Sequence, residues 1–324
     1  MKGFESFLSE QMEAFIAYRQ GLGYDAKHIR FMLLALDRYI CRQPDPSVVW
    51  QPVFYLKLRH ELPLAPSSVN GVLYAARCFF AYLKRQSEHN ANPLDHVPGL
   101  PQQAFIPFVF SPRQIEQLLQ AVSCQIRKTE RDFLPDFSAY LVILLLARCG
   151  MRINEPLRLK IGDYRPEEKT VYIARTKFKK DRLIPIPVAV ADEIDNYLAV
   201  RAACAPSGPW DYLFIGRGQH KINDSRIRKV FHKALGRIAV ARPRQVIGNT
   251  IFGKPTPHSL RHSFAVNTLK EAVARGQAAK TVLPVLAAYL GHVEYRHTMK
   301  YLKVVDAQSG ERLLNFAGTL REEA

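Results

Sequence analysis

The 324-residue chain lacks a long hydrophobic run. Its longest uninterrupted apolar stretch, AYLVILLLA at residues 139–147, is less than half of the roughly 20 residues that a membrane-spanning helix needs. The first residues, MKGFESFLSEQ, are amphipathic and carry early acids, which excludes the charged-then-apolar order of a signal peptide. Cysteine is sparse: Cys41, Cys78, Cys124, Cys149 and Cys204 are scattered, odd in number and form no CxxC pair. That rules out a disulfide framework and is the pattern of reduced packing residues in a cytosolic protein. Internal repeats and low-complexity tracts are missing too, so neither a solenoid nor a disordered tail organises the chain. The remaining shortage is of negative charge, with 29 acidic residues against 46 Lys and Arg.

A formal net charge of +17 favours a polyanionic partner, nucleic acid or an anionic membrane, with the short apolar run weighing against the membrane; a generally basic soluble protein is the plainer alternative. Hydrophobic residues make up 48%, enough for two cored domains. The first hundred residues read as helical. Phe4, Phe7, Leu8, Met12, Phe15 and Ile16 recur at helical spacing, as do Ile29, Met32, Leu33, Leu36 and Ile40. A third piece is interrupted by Pro52, and a fourth opens on Pro66 and places Val69, Val72, Leu73, Ala76, Phe80 and Leu83 on one face. The expectation is a bundle of about four helices over residues 1–92, then a Pro- and Asn-rich linker over 93–108, then a second domain over 109–324.

The second domain is mixed. Ser111, Pro112 and Gln114 spell a helix start with a capping box. A buried helix is expected over 137–149, and TVYIARTKFKKDRLIPIP reads as two short strands around a basic turn. Helices follow over 188–203, 224–240, 257–272 and 281–290, with 241–256 a loop of weak strand character. The class is therefore mainly α: an N-terminal helical bundle plus an α+β domain with a small antiparallel sheet.

Four stretches carry polar groups at turns and helix starts. In CGMRINEPLRL, Arg152 follows a Gly turn and Glu155 lies three residues on, close enough to orient the guanidinium or the adjoining backbone; an ordinary ion pair is the plainer alternative. The basic turn collects Arg175, Lys177, Lys179, Lys180 and Arg182, able to reach a phosphate or protonate a leaving oxygen. In TPHSLRHSF, Thr256 caps and Pro257 starts a helix that sets His258, Arg261 and His262 near one face. A zinc pair from the two histidines lacks its glutamate, because Ser259 stands in that place; His plus Arg at a helix N-terminus suits phosphate better. Finally a helix ends at Tyr289-Leu290-Gly291, His292 follows, and Tyr301 lies nine residues beyond it.

Arg-xx-Glu, a hairpin lysine, His-xx-Arg-His, and Leu-Gly-His with a tyrosine nine residues later together resemble the tyrosine recombinase (phage integrase) family, over residues 107–310. The resemblance implies a site-specific DNA recombinase. Tyr301 would attack a phosphodiester to give a 3′-phosphotyrosine and a free 5′-hydroxyl. Arg152 and Arg261 would clamp the non-bridging oxygens, with a further hydrogen bond from His292. His258 would accept the phenol proton and Lys177 would protonate the leaving 5′-oxygen, with Lys179 and Lys180 as rivals on the same turn. Glu155 would support the site and His262 would buttress it, while Tyr289 and Tyr295 are rival nucleophiles without the family spacing. Arg175, Lys179, Lys180, Arg182, Arg226, Arg228 and Lys229 are the expected DNA contacts. No metal and no cofactor is implied. The two domains would form a C-shaped clamp on a double-stranded site, as a homotetramer on DNA and a monomer or dimer off it, nucleoid-associated in the cytoplasm. An accessory DNA-binding protein would be an optional partner. An additional N-terminal arm-binding domain is expected to be absent. The C-terminal Leu313, Leu314 and Phe316 offer an apolar edge to a neighbouring protomer or to their own domain. Integration or excision of a mobile element and cointegrate resolution are the expected roles. A type IB topoisomerase-like enzyme and a non-catalytic DNA-binding regulator are the alternatives.

Overall fold

A computed structural model describes residues 3–86, 91–174, 181–204, 212–292 and 298–299, and it divides into two compact units, Met1–Ala104 and Phe105–Ala324. In the first unit the helical spacings become α1 (Ser9–Gly21), α2 (Lys27–Ile40), α3 (Pro52–Glu61) and α4 (Pro66–Arg85). Their apolar stripes close one core, with Met12, Leu33, Leu36, Val72, Leu73 and Phe80 almost fully buried. Pro52 does not break a helix; it opens α3 at the first position, where its missing N–H costs nothing. The short 3₁₀ turn before it, Pro46–Trp50, is capped by Asp45, whose carboxylate accepts from the Ser47 N–H at 2.8 Å.

Part of the stretch read as a linker packs onto α4. Leu94 and Val97 are buried in the first core. The Arg77 guanidinium donates to the carbonyls of Leu94 and Val97, and Asn70 exchanges hydrogen bonds with both backbone groups of Leu100, at 2.8 and 2.7 Å. Without regular structure of its own, this segment satisfies its backbone through α4 side chains.

In the second unit α5 (Pro112–Ser123) starts on the expected capping box, with Ser111 Oγ accepting from the Gln114 N–H at 3.2 Å and Gln114 Oε1 accepting from the Ser111 N–H at 2.9 Å. The apolar run forms the middle of α6 (Phe133–Arg148), which packs against α5, α7 (Val188–Cys204), α8 (Asp224–Arg237) and α9 (Pro257–Ala274). Twelve of its 16 residues are buried, so α6 is the axle of this unit. β2 (Tyr164–Arg165), β3 (Thr170–Ile173) and β4 (Arg182–Pro185) form the expected antiparallel sheet, in which Ile173 pairs with Arg182. α10 (Ala279–Leu290) follows α9.

A second sheet was not legible in the sequence. Residues read as a loop form a hairpin, β5 (Gln245–Ile247) and β6 (Thr250–Phe252), and β1 (Ala104–Ile106) adds to β6. Gly248 makes the two-residue turn by adopting φ +56° at its first central position, where a II′ turn takes glycine. Of the five cysteines only Cys149 is buried; Cys41, Cys124 and Cys204 are exposed rather than packing residues. Among the described residues no helix is long and apolar enough to cross a membrane.

Candidate active site

The polar stretches meet where α6 and α10 end and α9 begins. Just past α6, Gly150 adopts φ +58°, and a Cβ there would stand 2.5 Å from the Phe264 ring. The tight turn aims the Gly150 carbonyl at Arg261, whose guanidinium donates to it at 2.7 Å and to the Leu290 carbonyl at 2.6 Å. Arg261 is 1% exposed, the largest side chain to be so fully buried among the described residues. α10 terminates on Gly291 in the left-handed region, φ +64°, which exposes its last carbonyls.

Arg152 donates to Glu155 Oε1 at 3.0 Å and to the Gly291 carbonyl at 3.2 Å, while its backbone N–H donates to Glu155 Oε2 at 2.8 Å. Glu155 therefore fixes both guanidinium and backbone, as its spacing suggested. The same carboxylate receives a two-pronged bond from Arg182 at 3.1 and 2.9 Å, and Arg182 Nε donates to the Tyr289 carbonyl at 3.0 Å. Burial pushes the Glu155 carboxyl up, but the Arg182 pairing, the Arg152 N–H and the Arg261 charge outweigh it, and its pKa lies below the ordinary range. All three guanidiniums thus hang on carbonyls at the ends of α6 and α10, the negative ends of those helix dipoles.

His258 stands in the first turn of α9, fastened where the Thr256 N–H donates to Ser259 Oγ at 3.0 Å. Crowding by the protein, then the Arg261 and Arg152 charges, hold its pKa below that of an ordinary imidazole. His262 packs edge to face on it, ring centroids 4.5 Å apart. His292 follows Gly291 directly, and its Nδ1 shares a hydrogen bond of 2.7 Å with Thr298 Oγ1, which orients the ring. The structure thus gathers Arg152, Glu155, His258, Arg261 and His292. Tyr301, Lys177, Arg175, Lys179, Lys180 and Tyr295 lie outside the described residues.

Arg182 requires a correction. It was expected on DNA, but Glu155 and the Tyr289 carbonyl occupy its guanidinium, and only 11% of its side chain is exposed, so it braces the site instead. Arg226 is likewise turned inward, its guanidinium bonded to Asp136 near the start of α6. Arg228 pairs with Asp224 one helical turn away at 2.8 Å but stays half exposed, so it keeps a surface role. Lys229 borders a cavity of about 500 Å³ with Arg127, Arg217 and Lys233, toward the end of α6 opposite the arginine cluster. Tyr289 is unsuited to be a nucleophile: its hydroxyl donates to the Pro185 carbonyl at 3.1 Å, its ring stacks on Phe264, and burial pushes its phenol far up.

Two arginines clamped beside two histidines form a ready cradle for a tetrahedral phosphate. The model of the phage integrase family matches residues 109–308, which contain every one of these groups. The chain belongs to the phage integrase family. It is a tyrosine recombinase, an enzyme that cuts and rejoins DNA. It is 27% identical over 301 residues to the tyrosine recombinase XerA of Pyrococcus furiosus, covering 91% of this chain and 90% of that protein. It is 28% identical over 250 residues to a tyrosine recombinase of Pseudothermotoga lettingae, covering 77% and 75%. The fold resembles the crystal structure of the XerH site-specific recombinase bound to a palindromic difH substrate in a post-cleavage complex, with a TM-score of 0.68, 19% identity and coverage of 94% of this chain and 83% of that one.

The depressed pKa of His258 has a measurable consequence for this recombinase. Its imidazole stays neutral, and able to accept a proton, to a pH below the usual value of about 6.5. Single-turnover cleavage plotted against pH should keep its rate through that value and fall only below it. An acid limb centred above pH about 6.5 would show that His258 is not the group that sets it.

Proposed function

We propose that this recombinase acts on a specific double-stranded site through a 3′-phosphotyrosine on Tyr301. The phenol oxygen attacks phosphorus as His258 takes its proton, and the P–O5′ bond breaks as Lys177 protonates the leaving oxygen. Arg152, Arg261 and His292 hold the non-bridging oxygens where charge grows. Attack by a 5′-hydroxyl from a second duplex then reverses the chemistry, so strand exchange needs no nucleotide hydrolysis. Four copies would join two duplexes through a Holliday junction, in integration or excision of a mobile element or in cointegrate resolution. The observation that carries this reading is the Arg152–Glu155–Arg182–Arg261 cluster, fixed by 2.6–3.2 Å hydrogen bonds beside His258. Arg152, with 26% of its side chain exposed, is the open guanidinium of the cluster, and the buried Arg261 lies behind it, near enough to lower the pKa of the same Glu155.

The test uses a nicked suicide duplex carrying a site selected by the protein from random sequence. Wild type should leave a denaturation-resistant protein–DNA adduct, with or without EDTA. Tyr301→Phe should bind the duplex equally and leave none. An adduct that persists moves the nucleophile elsewhere. Relaxation of supercoiled plasmid lacking the site would favour the topoisomerase-like alternative.

A further inference from the structure

The stretch from Ser225 to Lys270 contains ten Lys and Arg and not one Asp or Glu. In a chain with 29 acids that gap is a concentrated source of positive charge. It comprises most of α8, the β5–β6 hairpin and most of α9. The flank of α8 that carries Arg228 and His232 lies beside Lys254 at the hairpin's exit: the His232 imidazole is held down by burial and then by the charges of Lys254 and Arg228. Arg242 and Arg244 enter the hairpin, both exposed. Its strands are exposed as well, Val246 at 56% and Ile247 at 64%, with β5 at the edge of the sheet among the described residues.

An exposed apolar edge strand is ordinarily a liability, and charge around it deters protein partners that are not anionic. Arg226 and Arg228 are offset by Asp136 and Asp224, but Arg242 and Arg244 on one limb and Lys254 on the other have no ion pair among the described residues and fit a polyanion. β1 joins this sheet on the β6 side, where the Gly253 N–H donates to the Ile106 carbonyl, so the β5 edge and the turn are the parts left to enter a groove, and a ribbon fits the major groove, about 12 Å wide, and not the minor groove at about 6 Å. Distance permits it: five residues lie between Phe252 and His258, so the end of the hairpin lies within about 20 Å of the catalytic histidine, or some six base steps.

We propose that the β5–β6 hairpin lies in the major groove beside the cleaved phosphate, with Arg242 and Arg244 on flanking phosphates and Ile247, the more exposed of the two alternating strand residues Val246 and Ile247, against base edges. This rests on the chain being a DNA recombinase, and it adds a second contact element outside the cluster that holds the scissile phosphate.

The full chain would be titrated against a mixed-sequence duplex between about 50 and 200 mM salt, where each phosphate contact contributes close to 0.9 to the log–log slope. Arg242→Gln/Arg244→Gln should flatten the slope by about 1 to 2 and weaken binding roughly tenfold at the lower salt. At saturating DNA it should still form the covalent adduct. Arg242→Glu/Arg244→Glu should weaken binding further with an unchanged melting temperature, since both side chains are exposed. On the selected site, dimethyl sulfate should find guanine N7 protection beside the cleavage point that the Gln pair loses. An unchanged slope, or a variant that alters self-association instead, overturns the proposal. Wild type that neither binds nor forms an adduct would instead count against the recombinase reading.

Discussion

Glu155→Ala should cost this recombinase both stability and activity. The carboxylate is buried and receives hydrogen bonds from the Arg182 fork, the Arg152 guanidinium and the Arg152 N–H. Its removal leaves two guanidiniums crowded together without their common anion. Breaking a buried pair from one side costs about 3–5 kcal/mol, which in a unit of this size lowers Tm by roughly 10 °C. Arg152 also loses the bond that sets its fork, and a misplacement near 1 Å is worth about a hundredfold in rate. Glu155→Gln should fall between, because an amide presents donors to donors. The sign of the pH dependence follows from the depressed pKa. The contribution of Glu155 is complete above the ordinary carboxylate range and is lost as pH falls through its lower folded value. The stability gap between wild type and Glu155→Gln, measured by thermal melting, should therefore hold at pH 7 and close only at pH below about 4. A gap that closes near neutrality would mean Glu155 is not the anion of the cluster.

Arg261→Ala should reduce single-turnover cleavage about a thousandfold, the range seen when a phosphate-clamping arginine or an oxyanion donor is removed. Two buried carbonyls, Gly150 and Leu290, would lose their donor, at about 1–3 kcal/mol each. Arg261→Lys separates charge from shape. Lysine keeps the cation but cannot span two carbonyls with a planar fork, so cleavage should recover only in part and remain at least tenfold below wild type. Wild-type cleavage by the Lys variant would show that charge alone matters and that the carbonyl clamp does not position the group.

What the sequence revealed was local. Arg152 and Glu155 are three residues apart, Thr256 and Pro257 mark a helix start, and Gly291 marks a helix end; each backbone rule lifts a neighbouring polar residue out of the background. Arg182 had no such marker. Its partners lie 27 and 107 residues away, and nothing in the sequence sets it apart from the other four cations of the basic stretch. The hairpin escaped because three-residue strands are too short for alternation to register. The docking of residues 92–100 onto α4 escaped because it rests on Asn70, Arg77 and Asn92 bonding to backbone, which leaves no period to read.

The carbonyl anchoring also sets how the site meets its substrate. Helix-end carbonyls orient Arg152, Arg182 and Arg261 but neutralise none of them, and Glu155 cancels a single charge. Among the described residues, Arg152 and Arg182 share the one Glu155 carboxylate, so two guanidiniums meet on a single anion. A phosphate brought to this cluster would meet guanidiniums already held by helix ends, with little side-chain freedom left to lose on binding.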